Sequence, residues 1–218
     1  MKPRHLLLPL LLLCSLVSVA QQPDAHSGAP LATQTPGRAK ALLEALVSQF
    51  RALPTYQVPF EVEAEMQGQK QTIEGRYAVE GERFYLQMGQ MEIYGEEKIR
   101  YVVDRERREV LIDRIDPSSD NLLDNPTHAF DHLAEAYEPT LLGERDAYAA
   151  LRLTPKAGDA EMSITLTLRL APLRPQRLTY HIGEEAMQIT LFDITPLTEP
   201  LKRFQQANYT GYELIDFR

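Results

Sequence analysis

The strongest constraint on the fold comes from the stretch between Gln71 and Ile115, where apolar and polar residues alternate. Ile73, Tyr77 and Val79 fall on one side of this alternation, and short polar breaks at 80–82 and 104–107 interrupt it. A period of two is typical of half-buried β-strands, and short polar breaks are typical of hairpin turns. The stretch therefore predicts an antiparallel meander with one apolar face and one face in water.

The same alternation predicts strands on both sides of this meander. Pro59 lies on the polar face of the first strand and indicates an edge position, because proline cannot donate a ladder hydrogen bond. With the meander, the total is about ten strands. The flanking strands are predicted at Val58–Met66, Leu151–Leu153, Met162–Leu170, Leu178–Ile182, Met187–Leu191 and Tyr212–Phe217.

Two helical segments are predicted. The first begins with Thr35 as its cap and Pro36 in its first turn, and ends near Leu53. Its apolar residues recur at steps of three and four, as on one face of a helix. The second comprises one or two short helices around residues 125–127. The apolar residues of the first helix are Ala39, Leu42, Leu43, Leu46, Val47 and Phe50, and those of the second segment are Leu122, Leu123, Phe130, Leu133 and Ala134.

So few helices cannot cover a flat sheet of about ten strands, so we expect the sheet to curl with its apolar face inward. The fold class is mainly β with α, an incomplete antiparallel β-barrel. A tightly closed barrel would be filled by side chains, whereas an open one would enclose an apolar cavity with the helices as plug or lid. The pattern alone leaves both open. The candidate cavity residues are Phe60, Val62, Ile73, Tyr77, Phe84, Leu86, Met88, Ile99, Tyr101, Met162, Ile164 and Leu166, and the candidate lid residues are Leu122, Leu123, Phe130 and Leu133.

The N-terminal residues predict export. Residues 1–20 combine Lys2 and Arg4 with an apolar run and small residues before Ala20, as in a signal peptide cleaved after Ala20. Acylation of Cys14 is the alternative, but the bulky Leu13 before it disfavours a lipoprotein signal. Residues 21–34 have the composition of a flexible leader, and 35–218 form one domain.

Charge and cysteine content exclude several classes of function. Cleavage would leave no cysteine, because Cys14 is the single one, so neither disulfides nor thiol chemistry would be available. Loss of Lys2 and Arg4 from 23 basic residues, against 31 acidic ones, gives the mature chain a charge of −10. This charge argues against nucleic acid and against adsorption to anionic membranes.

We find no combination of residues that predicts catalysis or a cofactor. The chain has neither a glycine-rich phosphate loop nor a Gly-x-Ser-x-Gly motif. His128 and His132 have the spacing of metal ligands on a helix, but no third ligand is marked, so a solvated helix face is favoured and no metal is predicted. Arg105 and its neighbours are interpreted as a charged hairpin tip. The protein is therefore not expected to be an enzyme.

Three short motifs and the C-terminus resemble the LolA family of periplasmic carriers of outer-membrane lipoproteins. The motifs are Gly75-Arg76-Tyr77 continuing to Phe84, Tyr94-Gly95-Glu96-Glu97-Lys98-Ile99-Arg100-Tyr101, and Leu151-Arg152-Leu153-Thr154-Pro155-Lys156. The C-terminal Gly211-Tyr212-Glu213-Leu214-Ile215-Asp216 is similar to the end of many members. Tyr77 and Tyr101 stand where tryptophans are common in the family. Residues 79–82 lack the basic residue that precedes a proline in the family. The role of that basic residue in holding the lid closed is therefore not transferred to Arg83.

The resemblance implies an incomplete barrel whose helices cover a cavity for lipoprotein acyl chains. It implies a periplasmic, monomeric carrier that takes lipoproteins from an inner-membrane releasing transporter to an outer-membrane acceptor of unknown identity. A sensor of lipids or mislocalised lipoproteins on the same scaffold is the alternative. Such a sensor is expected to carry a second domain for its partner, and the sequence predicts none.

Overall fold

The computed structural model describes residues 37–66, 69–116, 129–157, 162–183 and 185–218. The predicted signal peptide and leader lie outside these ranges, so they stay predictions. Two α-helices, α1 (Arg38–Arg51) and α2 (Ala129–Ala136), and a 3₁₀ turn at Gln206–Tyr209 accompany twelve strands in the described residues. The strands are β1 (Thr55–Met66), β2 (Gln69–Glu80), β3 (Arg83–Met88), β4 (Met91–Glu96), β5 (Ile99–Asp104), β6 (Glu109–Arg114), β7 (Tyr137–Arg145), β8 (Tyr148–Pro155), β9 (Met162–Leu170), β10 (Leu173–Ile182), β11 (Glu185–Leu191) and β12 (Glu213–Asp216).

All twelve strands belong to one sheet, in the order β12-β6-β5-β4-β3-β2-β1-β11-β10-β9-β8-β7. Two meanders, β1–β6 and β7–β11, join where β1 pairs with β11. The sheet stays open, since its outermost strands β12 and β7 are not paired with each other within the described chain. The incomplete barrel is thereby confirmed. The sheet is not wholly antiparallel, however, because β12 runs parallel to β6.

Helix α1 buries the face that the sequence predicted. Its buried residues are the six of the three-and-four pattern, with Leu46 at 0% exposure. The helix begins at Arg38, slightly later than predicted, and its N-cap Gly37 provides no side-chain hydrogen bond. Thr35 and Pro36 lie outside the described residues. The amphipathic face, rather than the cap, therefore determines where this helix lies.

The interpretation of Pro59 as an edge residue is wrong, because β1 lies inside the sheet between β2 and β11. Phe60 pairs with Leu191 and Gln57 with Thr195, so one more residue lies on the partner chain than on β1. Pro59 falls at this irregularity, where its carbonyl accepts a hydrogen bond from Phe192 N (3.0 Å). A bulge of this kind accommodates a proline inside a sheet, because the regular ladder is already interrupted.

The sheet has an inner face, covered by α1, and an outer face. Inner-face residues of β1–β4 and β8–β10 form one hydrophobic core with α1. The expectation that the other face meets water is wrong for β3–β6. There Tyr85, Tyr94 and Val103 are buried in a second core that includes Leu201 and Tyr209 from the chain after β11.

Candidate functional site

The inner face brings together ten of the twelve candidate cavity residues. Seven are buried in the core and three are partly buried against it, so these ten share one apolar environment with α1. They come from both meanders, because the β1–β11 pairing places the two halves of the sheet side by side. The buried ones are Phe60, Val62, Phe84, Leu86, Met88, Ile164 and Leu166, and the partly buried ones are Ile73, Tyr77 and Met162.

The two remaining candidates, Ile99 and Tyr101, are on the wrong face. Tyr101 pairs with Tyr94, and Tyr94 pairs with Tyr85, so these side chains share the outer face. Both Ile99 and Tyr101 pack against the second core. The sequence interpretation missed β4, which lies between β3 and β5. Without β4, the alternation of β3 could not be continued into β5. Val102 and Val103 are both apolar, so β5 itself does not mark its inner side.

Four aromatic rings form a row on the inner face, from α1 to β3. The Phe50 ring of α1 contacts Tyr56 edge-on, with centroids 5.5 Å apart. The ring centroids of Tyr56 and Tyr77 lie 6.1 Å apart, and those of Tyr77 and Phe84 lie 6.5 Å apart. The row connects the last turn of the helix to the centre of the first meander.

Within this row, the Tyr77 hydroxyl is a polar atom in apolar surroundings. Its oxygen is inaccessible to solvent and has no partner of normal hydrogen-bond geometry among the described residues, although the Tyr56 side chain interacts with it. Burial, and after it the neighbouring Tyr56, raise the pKa of Tyr77 well above its ordinary value. The hydroxyl is therefore protonated, and its proton is available to an acceptor.

Polar contacts hold α1 at its two ends. Arg38 Nε donates to Glu144 Oε1 of the outermost strand β7 (2.7 Å), and Arg51 lies 3.8 Å from Glu135 of α2. Arg83 plays no such part, since it pairs with Glu80 across the β2–β3 turn (2.8 Å). Because these are exposed ion pairs, they hold the helix only weakly.

The lid candidates fall largely outside what the structure describes. Leu122 and Leu123 lie in the undescribed segment 117–128, and the structure does not describe the side chain of Phe130 in α2. Leu133 is buried at 5% exposure in the same core as α1. His128 is also outside the described residues, as is the His132 side chain, so the histidine pair stays untested.

Sequence analysis missed a buried polar network on the outer face. Glu92 is 5% exposed and accepts hydrogen bonds from Tyr85 Oη (2.8 Å), Tyr209 Oη (3.0 Å) and Arg105 Nε (2.9 Å). The Tyr94 hydroxyl lies 2.8 Å from that of Tyr209, which already donates to Glu92, so Tyr94 is the donor there. Arg105 is thus part of this network rather than a free hairpin tip. The available signal was the tyrosines on strand positions expected to be polar.

Burial acts to raise the pKa of Glu92, but the hydrogen bonds from Tyr85 and Tyr209 and the charge of Arg105 outweigh it. The pKa of Glu92 consequently lies below its ordinary value. The network anchors the chain after β11 to the sheet, together with Phe204, which stacks on Tyr101 at 4.1 Å and on Tyr209 at 5.4 Å. Its groups are all engaged with one another, which fits a structural role.

The described part of the chain contains neither a cluster of metal ligands nor a membrane-spanning helix. No group of three or more potential metal ligands occurs there. None of the helices described is long and apolar enough to cross a membrane.

An open sheet with a helix over its apolar face is the architecture that the motifs implied. No protein-family model matches the chain, and no curated protein matches it. Among solved structures, an uncharacterised conserved protein from Thermus thermophilus aligns over 82% of this chain and 98% of its own, with 12% identity and a TM-score of 0.51. That likeness concerns the fold alone.

Two other solved structures align at lower TM-scores. A LolA superfamily protein from Nitrosomonas europaea covers 83% of this chain and 99% of its own at 13% identity, with a TM-score of 0.39. An outer membrane lipoprotein-sorting protein domain from Vibrio parahaemolyticus covers 79% of this chain and 97% of its own at 11% identity, with a TM-score of 0.39.

Proposed function

We propose that this protein binds the acyl chains of lipoproteins on the inner face beneath α1 and carries them through the periplasm from the inner to the outer membrane. The observation that carries the proposal is the single apolar cluster joining α1 to both halves of an open sheet. An acyl chain needs a continuous apolar surface shielded from water, and it needs few polar partners. The inner face provides such a surface, and α1 covers it.

The attachment of α1 supports this use. The helix packs on the inner face through side chains of one apolar stripe, and the exposed pair of Arg38 with Glu144 ties it to β7. Its packing could therefore be exchanged for packing against an acyl chain without breaking a strand ladder. In the closed arrangement described here, α1 fills the place that the chain would take, and residues such as Leu166, at 0% exposure, are covered.

The carrier would act without a cofactor and without nucleic acid, and it would catalyse no reaction. Its donor would be an inner-membrane lipoprotein-releasing transporter, and it would work as a monomer. These points rest on the resemblance of the motifs, together with the export signal predicted in residues 1–20.

Purification from exporting cells, followed by mass spectrometry of the bound material, tests the proposal. We expect acylated peptides or proteins to co-purify. We also expect the delipidated protein to bind a fluorescent fatty acid that unlabelled lipopeptide displaces. Recovery of free lipids alone would support binding but contradict the lipoprotein cargo. If nothing co-purifies and the fatty acid does not bind, the proposed function is wrong.

A further inference from the structure

The hydroxyl of Tyr77 is an exception to the way buried polar groups are normally paired. Tyr77 lies on the inner face between Val58 of β1 and Leu86 of β3, its partners in the two adjacent ladders. Its oxygen is buried, and the Tyr56 side chain beside it does not complete a hydrogen bond of normal geometry within the described residues. Most buried polar atoms in native proteins are hydrogen-bonded, so an exception requires an explanation.

Packing alone does not explain a tyrosine here. The next ring in the row is that of Phe84, whose centroid lies 6.5 Å away on the adjacent strand. Phe84 has no hydroxyl, and it is buried at 1% exposure. A phenylalanine at position 77 would keep the ring contacts with Tyr56 and Phe84, and it would avoid burying a polar atom without a partner. The hydroxyl is therefore expected to cost stability in this arrangement, a cost that a ligand acceptor would offset.

We infer that the Tyr77 hydroxyl donates a hydrogen bond to a carbonyl oxygen of the bound acyl chain. This inference rests on the proposed function and defines its ligand class further. The site would favour chains that carry an ester, amide or carboxyl oxygen over plain hydrocarbon chains, which offer no acceptor. The burial that raises the pKa of Tyr77 keeps it a donor throughout the physiological pH range.

The inference also locates the polar end of the chain. The aromatic row runs from Tyr77 through Tyr56 to Phe50 in the last turn of α1. Leu53, just after the helix, is 40% exposed, so this end of α1 borders solvent. A carbonyl group at Tyr77 would lie near that end, and the hydrocarbon would extend over the apolar remainder of the inner face.

Two probes and two matched variants test the inference. The probes are the methyl ester of a pyrene-labelled fatty acid and a pyrene-labelled alkane of equal length. The variants are Tyr77→Phe and the control Tyr85→Phe, which removes the same atom from the adjacent strand. Tyr85 points to the outer face and donates to Glu92 (2.8 Å), away from the inner core.

We expect Tyr77→Phe to lower the affinity for the ester by about 2- to 12-fold, the effect of one net hydrogen bond, and to leave the affinity for the alkane unchanged. The unliganded Tyr77→Phe protein should unfold at the same or a higher urea concentration than the wild type. Tyr85→Phe should unfold at a lower concentration, because Glu92 loses a donor, and it should bind both probes like the wild type.

The possible failures are distinguishable. If Tyr77→Phe lowers the affinity for both probes equally, or for neither, the hydroxyl does not recognise a carbonyl oxygen. The inference is then wrong, while the proposal of acyl binding stands. A lower unfolding midpoint for Tyr77→Phe would likewise overturn it, because the hydroxyl would then have a partner in the unliganded protein. If the wild type binds neither probe, the proposed function itself fails.

Discussion

The ring of Phe84 occupies the space that a side chain at Gly95 would need. The two residues face each other across β3 and β4, and a Cβ added to Gly95 would overlap three atoms of the ring. Phe60 covers Gly75 in the same way across β1 and β2. Both glycines belong to the motifs that resemble the LolA family, and both lie on the inner face. Each glycine lets an aromatic ring of the inner-face core lie across its neighbouring strand.

We therefore expect Gly95→Ala to destabilise the protein by about 1–3 kcal/mol, because the methyl group displaces the buried Phe84 ring. Gly143→Ala is the control, since a Cβ there would meet no atom within 4 Å. Urea denaturation of both variants measures the difference. Equal midpoints for the two would show that the Phe84 ring relaxes freely, contrary to its 1% exposure.

Substitutions on opposite faces should separate the binding surface from the outer core. Leu86 on the inner face and Ile112 on the outer face are 5% and 7% exposed. Their replacement by alanine should reduce stability by about 2–5 kcal/mol each, because both leave cavities. Only Leu86→Ala should weaken binding of a fluorescent fatty acid, by about fourfold or more, the factor for one buried CH₂. Equal binding by the two variants, measured where both are folded, would place the ligand elsewhere.

The Glu92 network should make stability depend on pH. The pKa of Glu92 is lowered in the folded protein, so its contribution is fully present above the unfolded-state pKa and is lost as pH falls through the folded value. We expect the free energy of unfolding to decline as the pH falls below about 4.3, where an unperturbed Glu is half protonated. Glu92→Gln should cost about 1–3 kcal/mol at pH 7 and flatten this decline.

The exposed turn residue Glu82 provides the control for that experiment. Glu82→Gln should unfold like the wild type in this experiment, because the side chain is exposed. Denaturation curves across the acid range compare the three proteins. An acid decline in Glu92→Gln as steep as that of the wild type would show that other carboxylates cause it.

If α1 admits the acyl chain by moving away from the sheet, the ion pair between Arg38 and Glu144 should slow its entry. We expect Glu144→Gln to speed fatty-acid association by up to about fivefold, the factor equivalent to 1 kcal/mol for an exposed pair. Glu44→Gln is the control, because Glu44 pairs with Lys40 inside α1 (3.8 Å) and does not reach the sheet. Stopped-flow fluorescence measures both rates. Unchanged association in Glu144→Gln would indicate that another element controls entry.

The sequence by itself determined the local elements and most of the inner face. The strand alternation and the three-and-four stripe of α1 are properties of consecutive residues, and the structure confirms all six buried residues of the helix. Ten inner-face residues followed from the same alternation, because a strand that buries one side places every second residue there.

Only the tertiary structure decided what lies over each face. Tyr94 and Tyr209 meet through their hydroxyls across 115 positions of sequence, and β12 pairs with β6 in the direction opposite to a hairpin. Such contacts depend on where distant segments pack, and alternation within a strand carries no information about them. Once the chain after β11 covers the outer side of β3–β6, apolar residues are favourable on both faces. The alternation in β5 then no longer marks the inner side, and the positions of Ile99 and Tyr101 follow from strand pairing alone.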